Sequence, residues 1–92
     1  MATYDKSSLR KRELKIRTRL YGRPVYYKVW IDVFRIDGAG TFHHANTDQE
    51  LTQGFWWDEW TGSDENPVHG PFRSRKAAID DAQRFKNEEA GA

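Results

Sequence analysis

The chain has 92 residues, no cysteine, and fifteen Lys/Arg against fourteen Asp/Glu, for a formal net charge of +1. A chain of this length supports one small hydrophobic core, and without cysteine it has neither disulfides nor thiolate metal sites. No apolar run reaches 18 residues and MATYDKSSLRKRELK has no apolar h-region behind its charges, so no membrane span and no signal peptide are expected.

The small net charge conceals a segregation along the chain. Residues 1–35 carry Lys6, Arg10, Lys11, Arg12, Lys15, Arg17, Arg19, Arg23, Lys28 and Arg35 against three acids, Asp5, Glu13 and Asp32. Residues 36–70 carry no Lys or Arg, but hold Asp37, Asp48, Glu50, Asp58, Glu59, Asp64 and Glu65.

In chain order, residues 1–9 show no period and are expected to form a flexible N-terminal tail, leaving 10–90 as a single α+β domain. Leu14, Ile16, Thr18 and Leu20 alternate with Lys15, Arg17, Arg19 and Tyr21, the signature of a strand with a basic outer face. Tyr21-Gly22-Arg23-Pro24 is expected to be a four-residue hairpin loop. The central strand is Val25 to Ile36. Its residues Val25, Tyr27, Val29, Ile31 and Val33 point to a core, and Tyr26, Lys28, Trp30, Asp32 and Phe34 point away from it. With a four-residue loop, Arg19 lies beside Tyr26, Arg17 beside Lys28 and Lys15 beside Trp30.

Asp37-Gly38-Ala39-Gly40 reads as a turn, after which Thr41 to His44 pairs back on Val33 to Ile36 as a third strand. Thr47 to Glu50 has capping-box spacing but is read as loop, because Gly54 follows so soon. Gly54 to Trp60, dense in bulky aromatics, is the fourth strand. Thr61 to Pro71 is read as an acidic loop. Ser74 then caps a helix beginning at Arg75, whose Ala78, Ile79, Ala82 and Phe85 share one face, and Gly91 marks its latest end. The expected fold is α+β: an antiparallel sheet of three to four strands with one C-terminal helix packed on one face.

No chemistry-bearing constellation emerges from the spacing. His43 and His44 are neighbours in a strand and point to opposite faces, and His69 is remote, so no metal site is expected. Asp58 and Glu59 diverge in the same way. Ser7, Ser8, Ser63 and Ser74 sit in tail, loop or cap contexts, and no phosphate or dinucleotide motif is present. The chain is read as non-enzymatic, with no cofactor and no small-molecule substrate.

The candidate partner-binding residues are Lys15, Arg17, Arg19, Arg23, Tyr26, Lys28 and Trp30, a basic and aromatic strip. A cation over an exposed ring also shields that ring, at roughly 0.5 to 1 kcal/mol. Beyond shielding, the strip admits three binding readings. With Tyr21 it can bind nucleic acid, cations meeting phosphates and rings meeting bases. It can bind another protein, since Trp, Tyr and Arg dominate interface hot spots. It can also pack on its own copy as a homodimer.

In size, lack of cysteine, basic amphipathic sheet, acidic loops and the Gly70-Pro71-Phe72-Arg73-Ser74 entry into the helix, the chain resembles small phage-encoded anti-CRISPR proteins. The similarity is to those directed at type I-F surveillance complexes; it covers overall character along the whole chain and carries no residue across by position. It implies a stoichiometric inhibitor in the host cytoplasm that docks on Cas protein subunits, beside or on the guide RNA, and keeps target DNA from hybridising. Arg17, Arg19, Arg23 and Lys28 would then reach acidic patches or guide-RNA phosphates, and Tyr26 and Trp30 would supply buried area. Asp58, Asp64 and Glu65 would face the Lys/Arg that grip DNA.

Overall fold

A computed structural model describes residues 1–45, 47–61 and 66–91. Six strands precede one helix: β1 (Thr3–Leu20), β2 (Arg23–Asp37), β3 (Phe42–His43), β4 (Glu50–Leu51), β5 (Gly54–Glu59), β6 (His69–Phe72) and α1 (Arg75–Gly91). The main sheet is antiparallel in the order β1-β2-β5-β6, with β3 and β4 forming a separate two-stranded ribbon. The protein is thus α+β, an antiparallel sheet with one C-terminal helix on one face.

The β1–β2 turn is tighter than the sequence suggests. Tyr21 and Gly22 alone form it, at φ of 51° and 77°, the left-handed pair that continues the twist of the flanking strands. Arg23 therefore faces Leu20, Arg17 faces Tyr26, Lys15 faces Lys28 and Glu13 faces Trp30. The register differs by two residues from that of a four-residue loop; because the shift is even, every side chain except those at the turn keeps its expected face.

The face carrying Leu14, Ile16, Ile31, Val33 and Trp57 packs against Ala78 and Ala82 of α1. Small residues at i and i+4 let the helix approach the sheet closely. The Ser74 hydroxyl accepts the Ala77 amide at 3.0 Å, capping the helix start. Burial along β2 fades toward the turn: Ile31 and Val33 are buried, Val29 and Val25 half-buried, and Tyr27 exposed.

A second core lies on the opposite face at the far end of the sheet, where Ala2, Phe34, Ile36, Leu51, Trp56 and Val68 pack with Tyr4 and Phe42. β1 joins it through a bulge. Asp5 faces Arg35 and Arg10 faces Val33, so residues 6–9 stand opposite Phe34 alone. Three extra residues, an odd number, invert the alternation. Ala2 and Tyr4 consequently face the second core, although even-numbered Leu14 and Ile16 face the helix. The bulge is tied down by Ser8, whose hydroxyl donates to the Asp5 carbonyl at 2.6 Å and accepts the Arg35 amide at 2.8 Å. Arg75 reaches across from α1 to the Ser8 carbonyl at 2.7 Å.

Three expectations are corrected. Residues 1–9 are not placed as a tail, since Thr3, Tyr4 and Asp5 pair with Asp37, Ile36 and Arg35 and Ala2 is buried. The segment after the 37–40 turn does not pair on β2: Phe42 and His43 pair with Leu51 and Glu50, and β5 occupies the place beside Ile31–Ile36. The tryptophans decide that competition, Trp57 filling the helix-side core and Trp56 the second one. Finally, His69–Phe72 is a strand rather than the end of a loop. It is an edge strand, the place in a sheet where proline is tolerated, and a Cβ on Gly70 would stand 2.7 Å from Trp56 Cδ2. Of the expected acidic loop, residues 62–65 lie outside the described residues.

Candidate functional site

The helix covers one face of the hairpin, and the second core covers the other only from Phe34 onward. Between them one sheet face stays open from the turn to Trp30. Lys15, Arg17 and Arg19 of β1 share it with Tyr26, Lys28 and Trp30 of β2. Arg23, facing Leu20, belongs to the opposite face at the turn. Six of the seven candidate residues are thus brought together, and Arg23 stands behind the strip.

The tighter turn changes the partners within the strip. Lys15 and Lys28 stand directly opposite each other, a like-charge pair that disfavours the ladder. Each turns to a neighbour: Lys15 Nζ sits 4.5 Å from the centroid of the Tyr26 ring, and Lys28 Nζ lies 3.6 Å from Glu13 Oε1. Arg17, Arg19 and Arg23 join none of the ion pairs found among the described residues. From residue 14 through residue 31 the chain contains five Lys/Arg (Lys15, Arg17, Arg19, Arg23 and Lys28) and no acid.

Two residues of this face are missing from the sequence-based set. The Trp60 amide donates to the Trp30 carbonyl at 2.8 Å, carrying the β5 direction one residue on and bringing an exposed indole beside Trp30. Lys11 Nζ lies 4.6 Å over the Trp60 ring and 3.3 Å from Asp32 Oδ1. The parity of Trp56 and Trp60 held the signal for the first, but only the β2–β5 pairing says which face that parity selects.

Beyond Trp30 the face changes sign. Asp32 stands opposite Asp58, and Tyr4, Phe34, Phe42 and His44 wall a shallow cavity of about 280 Å³ around them. Burial, reinforced by the charges of Asp32, Asp58 and Asp5, holds the Tyr4 phenol above its ordinary range. Asp64 and Glu65, paired with Asp58 in the charge-competition argument, lie outside the described residues.

On the helix side a cavity of about 300 Å³ is lined by Trp57, Glu59, His69, Phe85, Lys86 and Glu89. His69 stacks on Trp57 with ring centroids 4.2 Å apart, and burial pushes its pKa below the ordinary 6.5. Lys86 is buried and paired with Glu59 and Glu89. Burial lowers its pKa, but the two carboxylates outweigh that and leave it raised. Trp57 Nε1 donates to Asp81 Oδ2 at 3.0 Å. Lys86 and Glu59, and Asp81 and Trp57, join α1 to the sheet here, and among the described residues no Ser or Thr lines the cavity.

The histidines of the β3–β4 ribbon make separate local contacts, His43 Nε2 with Asp48 Oδ1 and His44 Nδ1 with Thr47 Oγ1, each at 3.0 Å. Among the described residues no group of three or more His, Asp or Glu is arranged to hold a metal ion, and no helix is long and apolar enough to cross a membrane. Comparison with protein families, with curated proteins and with solved structures finds no match for this chain.

Proposed function

We propose that the protein is a non-enzymatic inhibitor that lays the open face of its hairpin on a host defence ribonucleoprotein, a type I CRISPR surveillance complex, and blocks hybridisation of target DNA. The observation carrying this reading is the acid-free stretch from residue 14 through residue 31, whose Arg17 and Arg19 stand on an uncovered face without an ion-pair partner among the described residues. Guanidinium groups in that state suit phosphates. Farther along the same face Asp58 and Asp32, the latter held by Lys11 at 3.3 Å, follow the cations, a mixed surface that suits a ribonucleoprotein offering both phosphates and basic side chains. Tyr26, Trp30 and Trp60 supply the aromatic area typical of interface centres. Binding alone performs the function, through occupation of the surface that target DNA needs.

The test is a pull-down with a purified type I-F effector complex, followed by a target-DNA binding assay. Co-purification with loss of DNA binding is expected; absence of co-purification sinks the proposal for that system. The acid-free stretch also favours a second reading, in which the face binds free nucleic acid. Labelled single- and double-stranded oligonucleotides at two salt concentrations separate the two: tight binding that falls steeply with salt belongs to the second reading.

A further inference from the structure

Tyr21 is a large side chain that the fold does not explain. It occupies the first position of the two-residue turn at φ 51°, where Asn, Asp or Gly is favoured and a bulky side chain is disfavoured. It gains no packing in return, being 95% exposed. It enters none of the ring–ring or cation–ring contacts found among the described residues. Space around the turn is open, since a Cβ on neighbouring Gly22 would meet nothing within 4 Å. A residue that is costly where it stands and gains no ring, cation or packing contact among the described residues is placed to contact something else.

Its surroundings specify what. Arg19 stands two residues before it and Arg23 two residues after, on opposite faces of the ribbon. No acid lies nearer along the hairpin than Glu13 and Asp32. A free aromatic face between two guanidinium groups that form no ion pair among the described residues matches the alternation of base and phosphate along a single nucleic-acid strand. We infer that Tyr21 is a stacking finger for an unpaired nucleotide base, its ring lying on the base while Arg19 and Arg23 meet the phosphates on either side. This inference rests on the reading that the hairpin meets nucleic acid, and names the chemical group that the turn takes from it.

The experiment uses single-stranded RNA and DNA oligonucleotides carrying 2-aminopurine, whose fluorescence stacking quenches, at low salt with the intact protein. Wild type and Tyr21→Phe are expected to quench either strand. Tyr21→Asn is expected to abolish quenching and weaken binding by roughly five- to a hundredfold, with an unchanged salt slope because no cation is removed. Its thermal midpoint should rise, since Asn tolerates the left-handed region better than Tyr; this separates lost binding from lost folding. If Tyr21→Asn binds and quenches as wild type does while Arg17→Glu/Arg19→Glu weakens binding, the finger is overturned and the hairpin reading stands. If wild type binds neither strand at low salt, the finger falls together with the free-nucleic-acid reading, while the inhibitor reading keeps its own test in the pull-down.

Discussion

Where β2 meets β5, both faces of the sheet are covered. Val33 and Trp57 lie under α1 on one side, while Phe34 and Trp56 lie under Leu51 and Val68 on the other. Toward Tyr21, β2 runs on paired with β1 alone, one face bare from Trp30 outward, and the helix reaches the other only as far as Thr18, whose hydroxyl donates to the Ala90 carbonyl at 3.0 Å. The covered end draws its order from burial on both sides. The bare end draws its order from hairpin pairing and from continuity with the covered end. The covered end thus fixes the position of the bare one, whose residues near the turn carry few packing constraints.

The sharpest way to break this contrast is at the covered end. Trp57 is fully buried, stacks on His69 and donates to Asp81. Trp57→Ala should cost about 3–5 kcal/mol, measured by chemical denaturation, whereas truncating exposed Tyr26 should cost far less. Equal losses at the two positions would show that the hairpin is packed along its whole length.

The bulge in β1 is the next point of attack, because it brings Ala2 and Tyr4 to the second core. Ser8→Ala removes the acceptor of the Arg35 amide and the donor to the Asp5 carbonyl. Leaving that amide without its partner should cost about 1–2 kcal/mol, with faster hydrogen exchange at Arg35 as the local readout. Unchanged exchange there would mean that Arg75 alone fixes the bulge.

Ser8 also shows why part of the fold was hidden in the sequence. The hairpin could be read because each strand keeps a period of two over many residues, and the helix because Ser74 caps a row containing Ala78 and Ala82. Residues 1–9 looked patternless because the alternation inverts inside them, and the inversion depends on hydrogen bonds from Ser8 and Arg75 that no local period encodes. The place of β5 was hidden for a related reason. Thr41 to His44 is nearer in sequence to Ile36, but only Gly54–Glu59 offers a tryptophan to each core. Gly70-Pro71 reads as a loop until the edge position and the contact with Trp56 are known. At the candidate site, the composition of the strip was legible and its pairings were not, since these follow from the number of residues in the turn. Trp60 needed the β2–β5 pairing as well.

A smaller effect separates the two ends by pH. Burial, with the charge of Lys86 adding to it and that of Asp81 opposing it, holds His69 below 6.5. The folded state therefore prefers the neutral ring, so this stabilisation is present above pH 6.5 and is lost as pH falls through the lower folded value. Asp81 is also held below its ordinary 3.8: burial raises it, but hydrogen bonds from Arg84 and Trp57 outweigh burial. Its contribution is present above pH 3.8 and disappears only at more acid pH. The thermal midpoint should decline below pH 6.5, and His69→Gln should flatten that decline while leaving the later acid loss in place. A slope that persists in His69→Gln would mean another group is responsible.

The smallest effect on stability is expected at the bare end, and there its smallness is the informative result. Arg17→Glu/Lys28→Glu reverses two charges on the open face. Lys28 has only its exposed pair with Glu13 to lose, and pairs of that kind contribute little. Arg17 has no ion pair to lose among the described residues. The stability change should stay within about 0.5 kcal/mol, read from the same denaturation curves as Trp57→Ala. Binding should respond differently, because a face that carries cations and no acid from residue 14 through residue 31 then presents two acids to any phosphate it approaches. A variant that folds as wild type does yet no longer captures the partner would show that the bare end is maintained for binding. A lost thermal transition would instead place Arg17 and Lys28 in contacts that hold the fold, and the division between a covered end and a presented end would fail with them.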